Sequence, residues 1–579
     1  MLAARHRHDG LLHHRLPPGD RGGHRGDDTL RLQPRHHSCE LQNPDAVSRH
    51  AAVQAAQAPR LRDRLGEVRR LHAHLQPPEP DAAPRAPHAR HGLLALLRSP
   101  VAALQFPRHA QVLAPPPVRA RGRVGVAEVR LLRPPLGLRE EGDRVNLRTI
   151  ARYGVRTVPG DEAEIVAAFR RGEAVEGPAV AEFERRFAAY HDAEHAVAAS
   201  FGRMAFYYIL RALDLSAGSE IIFPALTFWV VPEMARRAGL RPVFVDVDPT
   251  TFNLDPSKIE AAITERTRAV VPTHLYGQPC EMSEVMRVAE KHGLVVIEDC
   301  AQAAGARYRG KPVGTFGAAS FFSFQMLKGI NTYGGGMALT GDARLAARVR
   351  EQAEAEPLQP TGDLIKRFLT GYASRVGVSP RGFTFWGFPL QAVASLFGHY
   401  DLSRYVWEKI RPLDPFPRTY RQRYSNAQAV LGLRGLARLD EFNSRSREHA
   451  ARYTRGLSDC RSVRTPRVLP RVEHVYYQYC IYASDPALAS RRAIRRGVDF
   501  ETTHVDVCSA LPLFEEFAAP CPGAVATEKA LQLPVYSRLR PTDVERVLRV
   551  VREVTGDLAP LGERDATGHA SFKETLHAG

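Results

Sequence analysis

Lys328 is the residue whose type and setting indicate most about chemistry in this chain. It follows Ser323 by five residues at the end of an apolar, strand-like run. About thirty residues upstream another apolar run, 294–297, ends in Glu298 and Asp299. A lysine amine can condense with the aldehyde of pyridoxal phosphate, and a carboxylate beside the pyridine nitrogen keeps that nitrogen protonated so that the ring accepts electrons. The pairing of Lys328 with Asp299 therefore suggests pyridoxal phosphate.

A second candidate site is an anion-binding turn at the start of a helical pattern. Ser200 and Gly202 come just before the pattern at 204–213. A helix N-terminus offers unbonded backbone N–H groups and the positive end of the helix dipole to a phosphate. The same residues are also typical of an ordinary helix start. The turn therefore indicates a phosphate site only in combination with Lys328 and Asp299.

Strand-like runs alternate with helical patterns in the part of the chain that carries these residues. The runs are 220–223, 243–247, 269–273, 294–297, 319–324 and 337–340, and the helical patterns include 230–238, 282–292 and 343–354. Such alternation favours a mainly parallel sheet with helices on both faces. Asp299 then lies at the carboxyl end of a strand, where open α/β sheets place ligands.

Several blocks along the chain together resemble one protein family. They are GP at 177–178, SFGRM at 200–204, FPALTF at 223–228, RPVFVDVD at 241–248, THLYG at 273–277 and EDCAQA at 298–303. In this order and spacing they resemble the DegT/DnrJ/EryC1/StrS family of sugar aminotransferases, over about residues 152–554. The resemblance implies an α/β, fold-type I pyridoxal phosphate enzyme. Its large domain would contain a mainly parallel seven-stranded sheet, and a smaller α+β domain would follow at the C-terminal side.

The resemblance also implies a role for individual residues. Lys328 would form the Schiff base, Asp299 would hold the pyridine nitrogen protonated, and Phe228 would stack on the ring, although Trp229 could exchange roles with it. Gln302 would contact the ring hydroxyl. The phosphate contacts implied in the same way are Ser200, Gly202, Arg203, Met204 and Ser323. No metal ligand set is predicted.

Some residues depart from the family pattern. Arg203 stands where the family has a small hydroxyl residue, and an arginine could pair bidentately with phosphate instead. Gly334 replaces a commonly acidic residue after the lysine. The segment 424–433 resembles the one that the family inserts into the active site of the partner subunit, which implies a homodimer with shared active sites. Arg423 matches a frequent arginine there, whereas Arg421 replaces an asparagine that contacts the phosphate across the dimer.

The chain divides unevenly. We expect a low-complexity extension at 1–145, a cofactor-binding large domain at 146–356, an aromatic-rich insertion at 357–415, the cross-subunit segment and small domain at 416–556, and a tail at 557–579. The insertion contains Trp386 and Trp407, two of the three tryptophans of the chain. It could be a helical hairpin at the dimer interface or over the active-site mouth. Alternatively, the aromatic residues 383–397 could contact a lipid, a carrier protein or a membrane surface.

The extension 1–145 differs in composition from the rest of the chain. It contains no Lys, Ile, Tyr or Trp and a single Phe, Phe106. Such a segment can bury little β-branched or aromatic surface, so we expect it to be disordered. Its 24 arginines against 14 acidic residues leave it ten of the seventeen net positive charges, which could make it a nucleic-acid arm. A transit peptide is disfavoured by its length and acidic residues, and the favoured interpretation is a misplaced start that reads GC-rich DNA in a wrong frame.

The sequence therefore predicts transamination of a keto sugar, nucleotide-activated, with L-glutamate as the donor by family resemblance. Relatives that dehydrate carry His in place of the lysine, so Lys328 favours transamination. Two rival classes are a catalytically silent, cofactor-binding regulator on the same scaffold and a basic nucleic-acid-binding protein. No run of about 18 apolar residues predicts a membrane span. The seven cysteines lack metal spacing, which predicts reduced thiols and a cytoplasmic enzyme.

Overall fold

Nine strands occur between residue 148, where the described part of the chain begins, and residue 340. In the computed structural model, which describes residues 148–396, 408–502 and 505–561, they are β1 (His195–Ala199), β2 (Glu220–Pro224), β3 (Arg241–Val245), β4 (Thr267–Val270), β5 (Val295–Asp299), β6 (Arg307–Tyr308), β7 (Lys311–Pro312), β8 (Ala319–Ser323) and β9 (Gly336–Thr340). All except the short β6 and β7 form one seven-stranded sheet in the order β1-β9-β8-β5-β4-β2-β3.

The seven-stranded sheet is mainly parallel. The pairs from β8 through β5, β4 and β2 to β3 are parallel, and β9 runs antiparallel to both β1 and β8. The carboxyl ends of β1, β5 and β8 therefore meet the amino end of β9 at one edge, where Ala199 and Ser323 both pair with Gly336. The predicted mainly parallel seven-stranded sheet is confirmed, and the predicted strand bounds differ from the observed ones by up to three residues.

Six helices accompany the sheet strands in sequence. They are α1 (Asp161–Arg171), α2 (Ala179–Tyr190), α3 (Gly202–Leu213), α4 (Val230–Arg237), α5 (Met282–His292) and α6 (Ala343–Glu354). The last two have the predicted bounds because their ends are marked in the sequence. Asp342 caps α6 by accepting from the N–H groups of Arg344 and Leu345 at 2.7 and 3.1 Å. Gly293 ends α5 in the left-handed conformation.

The described part of the insertion is mainly helical, over residues 361–396. It consists of α7 (Thr361–Gly377), the single turn α8 (Pro380–Gly382), a π-helical turn at Phe383–Gly387 and α9 (Phe388–Leu396). Leu364 and Phe368 bury one face of α7 against a small cluster that includes Phe169 and Leu431. Phe169 and Phe368 meet edge to face with ring centroids 6.3 Å apart.

A smaller α+β part follows, as predicted. Its elements are α10 (Asn426–Leu436), α11 (Leu439–Gly456), β10 (Val463–Arg464), β11 (Val472–Glu473), β12 (Tyr479–Ala483), α12 (Pro486–Arg495), β13 (Glu501–Thr502), α13 (Pro522–Ala526), β14 (Ala530–Leu533) and α14 (Pro541–Thr555). An antiparallel sheet forms in the order β10-β12-β14-β13, and β11 pairs with β6. Ile150, near the first described residue, pairs with Val498 of this part.

Some predictions fall outside the described residues. These are the extension 1–145, the tail from 562 onwards and the part of the insertion at 397–407, which holds Trp407. Cys39 lies there too, and the six cysteines of the described ranges are free. Within those ranges, no helix has both the length and the hydropathy that crossing a bilayer requires.

Candidate active site

The predicted lysine and carboxylate lie at the same edge of the central sheet. Asp299 is the last residue of β5, and Lys328 follows β8 in a turn where its backbone N–H donates to the carbonyl of Gln325 at 2.9 Å. Because β5 and β8 are parallel neighbours, their carboxyl ends lie side by side. The two side chains lie within electrostatic reach, since each shifts the pKa of the other.

Asp299 is a buried carboxyl group held by two donors. Its Oδ1 accepts from the backbone N–H of Ala301 at 3.0 Å, and its Oδ2 accepts from the hydroxyl of Thr273 at 3.4 Å. Burial raises the pKa of Asp299, and the Ala301 N–H and the charge of Lys328 oppose the rise. Thr273 shares a hydrogen bond of 3.2 Å with Thr227. This pair of hydroxyls fixes the orientation of the carboxyl group.

Lys328 has the properties of a nucleophilic amine. Its Nζ lies 4.5 Å from the ring centroid of Tyr477. Burial lowers the pKa of Lys328 to about 8, Asp299 opposes this change, and Arg203 adds to it. A lysine of that pKa is partly unprotonated near neutral pH, and the unprotonated amine is the form that attacks an aldehyde.

Two glycines let α3 begin directly against β8 and β9. A Cβ atom at Gly202 would lie 2.7 Å from the carbonyl oxygen of Phe322 and 3.0 Å from Cβ of Ser323. A Cβ atom at Gly336 would lie 2.3 Å from the backbone nitrogen of Gly202. Any larger side chain would push the helix start away from the strands. The N-terminus of α3 and the half-buried Ser323 are thus brought together at the edge where Asp299 ends β5.

Arg203 lies among aromatic rings and pairs with the end of the insertion. Its guanidinium carbon is 5.6 Å from the ring centroids of Phe201 and Phe228 and 4.9 Å from that of Tyr420. Its Nη1 donates to the carboxylate of Glu408 and to the hydroxyl oxygen of Tyr420. An arginine here is therefore stabilised by cation–π contacts and an ion pair.

Two other predicted phosphate residues point elsewhere in this chain. The buried hydroxyl of Ser200 donates its proton to the carbonyl oxygen of Tyr420. Met204 is fully buried in the core, and its backbone N–H donates to the carbonyl of Phe201 at 3.0 Å. Both residues support the turn that carries Gly202 and Arg203 rather than facing outward themselves.

The aromatic pair Phe228 and Trp229 divides between surface and core. Trp229 is 1% exposed and belongs to the main hydrophobic cluster, whereas Phe228 is only partly buried and faces Arg203. This placement favours Phe228 over Trp229 as a ring that a cofactor could reach. Gln302 is partly buried, and its Oε1 accepts from the backbone N–H of Tyr276 at 2.8 Å, so its amide nitrogen is the group turned to other partners.

Arg421 and Arg423 contact the end of α6 within the chain. The Nε of Arg421 pairs with the carboxylate of Glu356 at 3.0 Å, and the Arg421 side chain is 63% exposed. Arg423 donates through Nε to the backbone carbonyl of Glu356 at 3.0 Å and through Nη2 to that of Glu354. The second of these Arg423 bonds caps the carbonyl of the last residue of α6, and the first reaches a residue just beyond the helix. The chain by itself does not bring the two arginines to Lys328.

A buried histidine and glutamate form a network beside Asp299. His274 donates through Nε2 to Glu298 at 3.1 Å, and its Nδ1 accepts from the backbone N–H of Cys280 at 3.0 Å. Glu298 also accepts from the N–H groups of Gly314, Phe316 and Gly317 at 2.7 to 3.0 Å. His274, Glu298 and Cys300 bring ligand atoms within 4.8 Å of one another. Both ring nitrogens of His274 and both oxygens of Glu298 already bond within the protein, so the cluster is explained without a metal.

Sequence reasoning assigned no role to Thr273, Arg156 or Tyr477, which the structure places at or beside the site. Thr273 follows β4 and sits inside a block that the resemblance covers, so its strand-end position was the available signal. Arg156 and Tyr477 come from opposite ends of the described chain, and no local pattern links them to Lys328.

The described residues fit pyridoxal phosphate. Lys328 offers an amine for the aldehyde, Asp299 a buried carboxyl group for the pyridine nitrogen, and Phe228 an aromatic face. At the phosphate end the start of α3, Ser323 and Arg203 could supply donors. The arginine at this end differs from the hydroxyl group that the sequence resemblance leads one to expect.

The comparisons with known proteins cover the same part of the chain. Residues 159–552 match the family model described as the DegT/DnrJ/EryC1/StrS aminotransferase family. A "Pleiotropic regulatory protein" of Geobacillus stearothermophilus is 32% identical over 65% of this chain and 89% of that protein. The "GDP-perosamine synthase" of Caulobacter vibrioides is 31% identical over 65% of this chain and 90% of its own. The crystal structure of S. venezuelae DesV in complex with a ketimine intermediate aligns over 69% of this chain and 95% of DesV, with a TM-score of 0.55 and 28% identity.

Proposed function

The chain belongs to the DegT/DnrJ/EryC1/StrS aminotransferase family, whose enzymes depend on pyridoxal phosphate, and on that premise we propose that it aminates a nucleotide-activated keto sugar with L-glutamate as the donor. The observation that carries the proposal is the pairing of Lys328 with Asp299 at the carboxyl edge of the sheet. A relative named as a GDP-perosamine synthase supports the choice of a nucleotide sugar.

The residues at the site have distinct tasks in the proposed reaction. Pyridoxal phosphate, when bound, supplies an aldehyde and a ring that takes up electron density. The amine of Lys328 would hold the cofactor through its aldehyde and would move a proton to and from the substrate carbon. Asp299 would hold the pyridine nitrogen protonated, Phe228 would offer its face to the ring, and the amide nitrogen of Gln302 would donate to the ring hydroxyl.

The phosphate end is proposed to consist of Gly202, Ser323 and Arg203, with Ser200 and Met204 shaping the turn. The described hydrogen bonds of Arg203 all use Nη1. Its Nε and Nη2 form the other edge of the guanidinium, which matches two phosphate oxygens. Arg203 can therefore bind a phosphate on one edge and keep Glu408 on the other.

A homodimer with shared active sites is the proposed assembly. The exposed side chain of Arg421 and the neighbouring Arg423 lie just before the segment 424–433, which resembles the one that the family inserts into a partner. Mixing Lys328→Ala subunits with Arg423→Ala subunits tests it. Each variant alone should be weak or inactive, and mixed dimers should recover activity because one of their two sites keeps both residues. A mixture no more active than its parts contradicts shared sites.

We propose a cytoplasmic enzyme whose insertion touches a lipid surface. Large apolar side chains are exposed along the insertion, namely Leu369, Tyr372, Val376, Phe385, Trp386 and Leu390. Lys366 and Arg381, on the same stretch, are also exposed. Apolar and basic side chains together favour anionic lipid headgroups.

The lipid proposal is tested with the double substitution Trp386→Ser and Leu390→Ser. Both side chains are more than 60% exposed, so folding should survive. Sedimentation with anionic vesicles should fall while the dimer remains in size exclusion. If the variant becomes monomeric, the face is a subunit interface, and if sedimentation is unchanged, the face does not bind lipid.

The first test of the proposed function is an absorbance spectrum of the enzyme with and without L-glutamate. Wild type should show a visible band that Lys328→Ala lacks, and glutamate should convert it to the pyridoxamine form. A Lys328-dependent band that no amino donor changes favours the silent regulator, an alternative that agrees with the name of the Geobacillus relative.

The nucleic-acid alternative predicts salt-sensitive binding that is lost when residues 1–145 are removed.

A further inference from the structure

Arg156 is a buried arginine that finds no carboxylate partner among the described residues. Arg156 is 8% exposed. Its Nη1 donates to Oδ1 of Asn443 at 2.9 Å, and its Nη2 donates to Oγ of Ser446 at 3.3 Å. Both acceptors are neutral. Across 148–396, 408–502 and 505–561, no Asp or Glu forms an ion pair with it. Burial lowers the pKa of Arg156 to about 10, which reflects a charge removed from water and left uncompensated.

Arg156 lies beside the proposed catalytic lysine. A Cβ atom at Gly329, the residue after Lys328, would lie 3.5 Å from Nη1 of Arg156. Tyr477, whose ring centroid is 4.5 Å from Nζ of Lys328, lines the same cleft as Arg156. The guanidinium therefore lies against the residue that follows Lys328, and it shares a cleft with the ring that the Lys328 amine faces.

A second arginine in the cleft, Arg152, provides a comparison because its charge is paired with carboxylates. Arg152 lines the same cleft, but it bonds to Asp499 through Nε and Nη2 at 2.8 Å and lies 3.7 Å from Glu501. Its charge is compensated inside the protein. Arg156 differs from it in meeting only amide and hydroxyl oxygens, which orient a guanidinium without neutralising it.

We propose that Arg156 binds the carboxylate of a substrate, and first of all the α-carboxylate of the amino donor. This inference rests on the proposed transamination. An amino acid carries its amine and its carboxylate on one carbon, so a donor whose amine reaches the atom bonded to Lys328 brings its carboxylate within a few ångströms of that lysine. L-glutamate and L-glutamine share this group, so the site accepts either. A sugar acid would present the same chemistry from the acceptor side.

The test compares Arg156→Gln and Arg156→Lys with wild-type holoenzyme. A matched control is Arg438→Gln, which removes an arginine that pairs with Glu441 at the surface. L-glutamate is titrated while the bound cofactor's absorbance is followed. Arg156→Gln should raise the half-saturating glutamate concentration about 100-fold, because a buried charge partner is lost. Arg156→Lys should recover part of the affinity, and the control should stay within about twofold of wild type.

A second measurement, of ligand binding, requires no turnover and compares two ligands on the wild-type enzyme as well as on a variant. Glutarate has the carboxylates of glutamate but no amine, and glutaramide is its neutral analogue. Calorimetric titration of wild type should detect glutarate and not glutaramide, and Arg156→Gln should lose the glutarate signal. This result would hold even if no amino donor were turned over, so failure of the proposed function and failure of this inference are distinguishable.

The results of these measurements distinguish whether the carboxylate that Arg156 binds belongs to the amino donor or to the sugar. A glutamate defect in Arg156→Gln places the donor at Arg156. Normal glutamate conversion, with a defect only for acceptors that are uronic acids, places the sugar's carboxylate there instead. Unchanged glutamate, glutarate and uronic-acid affinities in a folded Arg156→Gln enzyme overturn the proposal.

Discussion

Capture of pyridoxal phosphate by the cofactor-free enzyme should accelerate with pH and level off above about pH 8. The attacking group is the neutral amine of Lys328, and burial lowers the pKa of that lysine from 10.5 to about 8. At pH 7 about a tenth of such lysines are neutral, against about three in ten thousand for an ordinary lysine, so burial raises the reactive fraction about 300-fold. The profile rises with pH because deprotonation creates the nucleophile.

Two variants separate the electrostatic contributions to this profile. Asp299→Asn removes the negative charge that raises the pKa of Lys328, so the midpoint should move to lower pH. Arg203→Met removes a positive charge that lowers it, so the midpoint should move to higher pH. Arg367→Met is a matched control, because Arg367 lies 5.3 Å from the Phe201 ring centroid but is not among the groups that shift Lys328.

The assay is stopped-flow absorbance of the lysine-bound cofactor after mixing with pyridoxal phosphate from pH 6 to 11. The ionisation of the free cofactor in solution is common to all variants, so the opposite shifts of Asp299→Asn and Arg203→Met are the discriminating signal. A wild-type midpoint near 10.5, or a shift of both variants in the same direction, would refute the reasoning.

Three further substitutions test the residues that support the site. Glu298→Gln should lower the free energy of unfolding in urea by about 2 to 6 kcal/mol, since two buried N–H donors lose their acceptor at about 1–3 kcal/mol each. The exposed Glu284→Gln is the control, and it should lower the free energy of unfolding by less than about 0.5 kcal/mol. Gly336→Ala should weaken cofactor binding and lower the melting temperature, because its Cβ would meet backbone at 2.3 Å, while Gly341→Ala, with open space around it, should not. Phe228→Leu should raise the cofactor dissociation constant about tenfold in a fluorescence titration.

The central pair could be predicted from sequence because strand ends are local signals. An apolar run that stops at Asp299, and another that stops shortly before Lys328, fix where each side chain emerges. The sheet then places both at one edge, since β5 and β8 are neighbours. Local periodicity also located α5 and α6, whose ends carry an Asp cap and a glycine.

The partners of these residues could not be predicted in the same way. Glu408 lies 205 positions from Arg203, and Asn443 lies 287 positions from Arg156. No periodic pattern encodes a side-chain pair over such distances, because the pairing depends on how the elements pack. The break between α10 and α11 is also unmarked in the sequence, because only Ala437 and Arg438 separate the two helices and neither is a glycine or a proline.

The charge that Arg203 brings to the proposed phosphate end is paired by residues distant in the sequence. An arginine at position 203 brings a charge into a half-buried turn, where an unpaired cation would be unfavourable. The Arg203 guanidinium donates to Glu408 and to the hydroxyl oxygen of Tyr420, and the backbone carbonyl of Tyr420 accepts a hydrogen bond from the hydroxyl of Ser200. Glu408 belongs to the insertion at 357–415, so the insertion's end contacts the proposed phosphate-binding turn. The same arginine lowers the pKa of Lys328. In the proposed cofactor site, Arg203 thus replaces a hydroxyl ligand with a guanidinium edge for the phosphate, while it anchors the insertion through Glu408 and lowers the pKa of Lys328.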